Sequence, residues 1–264
     1  EGIYNSADCA IGFEAAKMVL RGIRGFYEDY AEHVQHGRCF AKLSQPVPCV
    51  SLCPAHVDVP GYVSLIHEGR YGDAVQLIRK DNPFPAACGL ICEHPCELRC
   101  RRTMVDKAIN IRGLKRYAVE HEGEIPAPKI MDKTGKKIAI VGGGPSGLSA
   151  AYYLSIMGHA VMVYEQRKQL GGMLRYGIPA YRLPREILDH EIDGLKKAGF
   201  QVKTDVSIGH DISLKDLRKQ YDAVYVSIGA HTDKKLGIPG EDAQGVISAV
   251  EMLRNIGDDD YPDF

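Results

Sequence analysis

Residues 136–154 read KKIAIVGGGPSGLSAAYYL: an apolar strand that runs into Gly142, Gly144 and Gly147, spaced G-x-G-x-x-G, and on into a helix. The first glycine permits a tight turn, the second lets a pyrophosphate approach the backbone, and the third lets helix pack on strand. The helix start at Pro145 and Ser146 then supplies a positive dipole end for phosphate. Glu165 closes the next strand, eighteen positions after Gly147, where a carboxylate can bind ribose hydroxyls. Downstream, KIAIV, HAVMVYE, FQVKTDV and DAVYVSIG read as strands. They alternate with a helix to about Met157 and another from Pro184 to Ala198. The fold class is α/β, doubly wound and Rossmann-like.

The second constraint is sulfur. The chain has eight cysteines, and CGLICEHPCELRC places Cys88, Cys92, Cys96 and Cys100 four positions apart, about forty residues after Cys49 and Cys53 in PCVSLCP. A chain with a nucleotide-binding pattern and no export signal keeps its thiols reduced, so metal or cofactor ligation is the better reading than disulfides.

The 264 residues carry 33 basic and 34 acidic side chains, a net charge of −1, so no electrostatic footprint exists for nucleic acid or an anionic membrane. No run approaches the eighteen apolar residues of a membrane span, and the N-terminus lacks a signal-peptide pattern. The expected location is cytoplasmic. A start at Glu1 and an acidic end, GDDDYPDF, read as a segment of a longer polypeptide.

Apolar residues at helical spacing predict one amphipathic helix from Ile11 to about Val34, ended by Gly37. Asp58 and Pro60 read as cap and first turn of a short helix to Gly69, another helix follows from about Asp73 to Lys80, and INIRGLKRYAVEHE reads as a further one. GEIPAPKIMDKTG, with two prolines and no periodicity, reads as a linker. The expected organisation is a helix segment over 1–36, an all-helical domain over 37–122, a linker over 123–135 and a truncated nucleotide-binding domain over 136–264.

After Glu165 comes EQRKQLGGMLRYGIPAYRLP, which resembles the glutamate synthase small-subunit family of FAD oxidoreductases, including the N-terminal part of dihydropyrimidine dehydrogenase. The resemblance covers about residues 38–264. It implies FAD as the ligand of the glycine loop, with Gly172 and Met173 along the diphosphate and ribityl chain, Arg182 toward the flavin, Val206 against the adenine half, and Gly229 near the diphosphate. It also implies that Cys53, Cys92, Cys96 and Cys100 hold one [4Fe-4S] cluster, thiolate being the ligand such clusters require. Cys88 is then a bystander, or in the alternative a ligand. Zinc is the rival metal, although zinc ribbons favour C-x2-C knuckles and every spacing in this run is x3.

A second cluster is in doubt: of its usual cysteines Cys39 and Cys49 remain, Lys42 stands where another is expected, and its non-cysteine ligand would fall near Lys115. Upstream, DCAIGFEAAKMVLRGIRGFYEDYAEHV resembles the end of the NADH-binding flavoprotein subunit of complex I and of bifurcating hydrogenases, where Cys9 matches the last ligand of a cluster completed by upstream residues.

These resemblances imply an electron-transfer segment of a multi-subunit redox complex, of the kind to which electron-bifurcating complexes belong. In it FAD exchanges a hydride with NAD(P)H, which a domain outside this chain would bind, and passes single electrons to the cluster. Hydride transfer needs no side-chain acid or base, so no catalytic residue is named. The alternative is a docking and relay module without flavin turnover of its own.

Overall fold

A computed structural model describes residues 2–6, 9–25, 27–36 and 47–258. The chain divides into two compact units, residues 1–47 and 48–264. The first unit contains α1 (Gly2–Ser6), α2 (Ala10–Gly25) and α3 (Tyr27–His36). The helix expected from Ile11 to about Val34 is met by helix on both sides of residue 26, over Ala10–Gly25 and Tyr27–His36. The expected terminator Gly37 lies outside the described residues. Ile11, Met18, Val19, Ile23, Tyr27, Tyr30 and Val34 are exposed.

The second unit opens with a helical lobe: α4 (Pro48–Ser51), α5 (Val59–His67), α6 (Tyr71–Arg79), α7 (Pro85–Ile91), α8 (Pro95–Leu98), a 3-10 turn (Arg101–Met104) and α9 (Ile111–Glu120). Caps fix the longer helices, since Asp58 accepts from the Gly61 N–H and Asn110 from the Gly113 N–H, both at 3.0 Å. Val57, Tyr62, Val75, Ile78 and Ala118 form the lobe's core, fully buried. Residues 123–135 carry no helix or strand, yet they are tied down: Ile125 is buried, and Met131 N–H bonds Ile156 O at 2.8 Å.

The remainder is β1 (Lys137–Val141), α10 (Pro145–Ile156), β2 (Ala160–Tyr164), α11 (Met173–Tyr176), α12 (Arg185–Lys196), β3 (Gln201–Lys203), α13 (Leu214–Gln220), β4 (Ala223–Val226) and α14 (Ala249–Gly257). The strands form a parallel sheet in the order β3-β2-β1-β4, with Ile138 beside both Val161 and Ala223. The order places β1, with its glycine loop, at the centre. Strand alternation sends Ile138 and Ile140 to one face, against Leu148 and Ala151 of α10 and Leu188, Ile192 and Leu195 of α12. Ala139 and Val141 go to the other face, with Leu217 of α13. Each fully buried large side chain contributes about 1.5–3 kcal/mol. Phe84 and Ala87 of the helical lobe belong to the first of these cores, so the two lobes share apolar contact rather than a solvated hinge.

Among the described residues no helix is long and apolar enough to cross a membrane.

Candidate functional site

The strand ends and the glycine loop enclose a cleft of about 590 Å³. Gly142 turns the chain with φ +107°, a value other residues rarely adopt, and a side chain there would press on Ser227 O. The Gly142 N–H bonds Tyr164 O at 2.8 Å, and Ser227 Oγ donates back to Val141 O at 3.1 Å, so β1, β2 and β4 clasp the turn between them. Gly144 precedes α10, whose first residue is Pro145. Gly144, Pro145 and Ser146 line the cleft, so the start of α10, the end of a helix that favours an anion, lies at it. Gly147 lies outside the lining and lets α10 settle on the turn, because a Cβ there would strike Gly142 O.

A second glycine turn builds the floor. Gly172, at φ +50°, lies so close to Gly144 that a Cβ on it would stand 2.6 Å from Gly144 Cα. The Gly171 N–H bonds Gly143 O at 2.9 Å, which ties this floor to the glycine loop. Glu165 is buried, and its carboxylate accepts from the Gly143 N–H at 2.7 Å and the Arg167 N–H at 2.9 Å. Both oxygens are thus oriented by backbone, and each retains a lone pair for a ribose hydroxyl.

Gly142, Gly144, Pro145, Ser146, Glu165, Gly172, Met173, Val206 and Gly229 all line this one cleft. Arg182 does not; it is exposed, on a turn where its N–H bonds Pro179 O at 2.9 Å, while the adjacent Leu183 is buried. Sequence reasoning missed Arg167, Ser227 and His231, which also line the cleft. Arg167 stacks 4.7 Å over the Tyr176 ring and pairs with Asp258 at 2.6 Å. Its place two residues past Glu165 was the available signal; Ser227 and His231 follow β4 and carry none.

The cysteines gather in the helical lobe. Cys49 lies on α4, Cys53 in the turn that follows, Cys92 at the end of α7, Cys96 in α8 and Cys100 just beyond it. Tyr62, buried with its hydroxyl on Ile111 O at 3.3 Å, lies within electrostatic reach of Cys96, Cys53 and Cys49, and burial drives its phenol far above the ordinary range. Burial likewise pushes the Cys96 thiol up to about 11, with Lys115 opposing and Glu97, Cys92 and Cys53 adding to the rise. Cys49 is also raised, first by burial and in part by Cys100. Cys53 and Cys92 thus act on Cys96, and Cys100 on Cys49, while Cys96 and Cys53 belong to the core around Tyr62. Cys39 lies outside the described residues.

Cys88 accepts from Asn82 Nδ2 at 3.2 Å, and burial raises its thiol while Asn82 and Lys115 oppose. Its closest thiol influence is Cys92. Cys9 is exposed in the first unit.

Among the described residues, no three Cys, His, Asp or Glu side chains converge as the ligands of one metal ion. A cubane asks for a wider set, one thiolate per iron corner, and Cys49, Cys53, Cys92, Cys96 and Cys100 are free thiols of this lobe with the donor chemistry it needs. Where burial holds a thiol neutral, iron ligation would deprotonate it. The His94 backbone, at φ +43°, also aims its N–H at Cys92 Sγ, 3.3 Å away.

The two sites are joined. Glu191 of α12 is 1% exposed and accepts from the N–H groups of Ala86 (2.5 Å) and Ala87 (3.0 Å), in the first turn of the helix that leads to Cys88 and Cys92. Burial lifts its carboxyl to about 7, against those two bonds and Arg79. Arg79 and Glu122 add a buried ion pair at 3.8 Å, and Tyr153 of α10 donates to Arg79 O at 3.1 Å.

Two family models match the chain: the 4Fe-4S domain II of dihydropyrimidine dehydrogenase over residues 19–125, and an NAD(P)-binding Rossmann-like domain over residues 140–202. Among curated proteins, the NADPH-Fe(3+) oxidoreductase subunit beta of Geobacter sulfurreducens is 38% identical over 91% of this chain. The NADP(+)-dependent formate dehydrogenase subunit beta of Moorella thermoacetica is 38% identical over 81%. The glutamate synthase [NADPH] small chain of Bacillus subtilis is 37% identical over 76%. The chain spans 37%, 34% and 41% of the lengths of these three relatives.

Proposed function

We propose that this homologue of the glutamate synthase small chains is the electron-transfer segment of an NAD(P)H-dependent oxidoreductase, with FAD in the glycine-loop cleft and a [4Fe-4S] cluster on Cys53, Cys92, Cys96 and Cys100. The observation that carries the reading is the junction: a nucleotide cleft and a cysteine set lie in one compact unit, fastened by Glu191 on the Ala86 and Ala87 N–H groups. Relatives named as NADPH-dependent oxidoreductase subunits support it.

When bound, FAD would accept a hydride from NAD(P)H and release electrons singly, and the cluster would carry them one at a time. The chain's own residues bind and orient. Gly142, Gly144 and the first turn of α10 would receive the diphosphate. Glu165 would hold a ribose, and its buried carboxylate disfavours a 2′-phosphate in the same place, which argues for FAD over NADP in this cleft. Gly172, Met173, Val206 and Gly229 would complete the lining. No side chain is assigned a proton transfer. The nicotinamide nucleotide would bind on a part of the protein outside this chain, and partner subunits would take the electrons onward.

The test is anaerobic reconstitution of the chain with iron, sulfide and FAD, followed by its absorption spectrum and chromatography of the nucleotide released by denaturation. Flavin and cluster bands together, with FAD released, support the reading. Iron without flavin favours a docking and relay module, and the chain's span of less than half its relatives gives that second reading its weight. NADP in the cleft would overturn the cofactor assignment.

A further inference from the structure

A second cavity, of about 430 Å³, lies between the end of α6, residues 125–129, and the helices α10 and α12, and it shares no lining residue with the glycine-loop cleft. Its size is that of a small-molecule site, about 300–1,000 Å³. Arg79, Lys80, Lys129 and Lys197 line it, and no carboxylate does.

Arg79 is the cation that the fold holds in place. Its side chain is 10% exposed, and its Nη2 lies 3.4 Å from where a Cβ on Gly194 of α12 would stand. Among the described residues its guanidinium donates no hydrogen bond. Nε is buried without a partner, and Nη2 stands 3.8 Å from Glu122 Oε2, farther than a hydrogen bond reaches. Glu122 offsets one of the four positive charges, and it is shared with His190 at 3.3 Å. Lys197 Nζ donates to Ile125 O at 3.0 Å, which fastens residue 125 to the end of α12 as a wall. Lys80 and Lys129 are exposed and have no ion pair among the described residues.

The remaining wall is aromatic. Tyr152 and Tyr153 of α10 also line the cavity, their rings edge to face at 5.4 Å. The Tyr153 hydroxyl is spent on Arg79 O at 3.1 Å. Tyr152 is 6% exposed, and among the described residues its hydroxyl has no hydrogen-bond partner. A buried hydroxyl and a buried guanidinium, both with donors to spare, thus line one apolar-walled space ringed by lysines.

We propose that this cavity is a second ligand site, for a small organic anion: a carboxylate or phosphate group on a flat apolar body. The planar fork of Arg79 suits the oxygens of either head group, and the tyrosine rings suit the body. The walls come from α6 of the helical lobe and from α10 and α12 of the α/β lobe, so an occupant touches both and stabilises their junction by mass action. Neither FAD nor the cluster enters this inference.

The experiment titrates the whole 264-residue chain by isothermal calorimetry with phenyl phosphate, benzoate and inorganic phosphate at low ionic strength, beside Arg79→Gln, Tyr152→Phe and Lys129→Gln. At least one of the two organic anions binds at a single site, and the tighter of them assigns the head group. Arg79→Gln weakens that binding by about ten-fold or more, as loss of a charged hydrogen bond does. Lys129→Gln at the exposed edge weakens it by about three-fold, and Tyr152→Phe by about five-fold. Circular dichroism checks the fold of each variant; if Arg79→Gln does not fold, Tyr152→Phe and Lys129→Gln decide. A parent that binds neither organic anion overturns the proposal. So does binding that is equal in the parent and the folded variants, which would place the anion elsewhere, and so does inorganic phosphate bound as tightly as phenyl phosphate, which would leave the aromatic wall without a part.

Discussion

Glu191→Gln isolates a buried carboxylate at the junction of the two lobes. The wild-type carboxyl is lifted from its ordinary 4.5 to about 7, chiefly by burial, so the folded protein holds this proton more tightly than the unfolded chain does. The stability tied to that proton is fully present below about pH 4.5 and is lost as pH rises through about 7. The gap between 4.5 and about 7 corresponds to about 3 kcal/mol, at 1.36 kcal/mol per pH unit. Glutamine keeps the shape, cannot ionise, and keeps one acceptor oxygen for the two N–H donors of α7. One of Ala86 and Ala87 then loses its partner, which costs about 1–3 kcal/mol.

The variant is therefore less stable than the parent at pH 4.5, and at pH 8 the two come close, because glutamine carries no ionisation penalty. Urea unfolding of both proteins, followed by circular dichroism at several pH values from 4.5 to 8, reads the difference directly. Stability curves of parent and variant that run parallel across that range would refute the reasoning, since they would mean that Glu191 is not the residue that titrates.

Cys96→Ser lowers iron content by about four atoms per chain, because one missing thiolate leaves a cubane corner unbound; iron analysis after reconstitution checks it. Glu165→Ala removes both the proposed ribose acceptor and the brace on the Gly143 N–H, so the variant retains less FAD at unchanged iron content, measured by absorbance after gel filtration. Gly142→Ala forces a side chain against Ser227 O at φ +107°, and it abolishes nucleotide retention while the cysteine lobe still loads iron.

The glycine loop and its flanking strands were legible because each needs a particular residue for a local reason: turn, close approach, helix packing. Nine of the residues named for the cofactor fall on one cleft because they sit on strand ends and glycine turns, where position follows from register. Arg167 was within reach of the sequence through its place two residues past Glu165, whereas Ser227 and His231 were not legible, since their presence in the lining depends on how the chain leaves β4. The amphipathic run over 11–34 showed its helical period clearly, and α2 and α3 are helical along it. In the cysteine set, spacing grouped Cys88 with Cys92, Cys96 and Cys100. In the fold Cys88 also accepts from Asn82 Nδ2, a partner that the spacing does not report. Nothing in the sequence pointed to Glu191, 104 positions from Ala87, as the cap of the cysteine-bearing helix.

That last contact bears on what the two lobes can do together. Transfer of an electron between a nucleotide-bound flavin and a cluster depends steeply on their separation, so a hinge between the lobes would leave the rate to chance encounters. Here Phe84 and Ala87 are buried in the core of the α/β lobe, and the N–H groups of Ala86 and Ala87 end on a carboxylate that α12 supplies. Sliding the helix away would expose that apolar surface and strand a buried charge, a cost of the order of several kcal/mol. The junction therefore fixes the spacing of the two proposed redox sites, and Glu191→Ala, which leaves both N–H groups without an acceptor, should slow reduction of the cluster by dithionite-reduced FAD more than it lowers iron or flavin content. Stopped-flow traces at the cluster's absorption band test this: a variant that retains both groups and is reduced at the parent's rate would show that the spacing is held elsewhere.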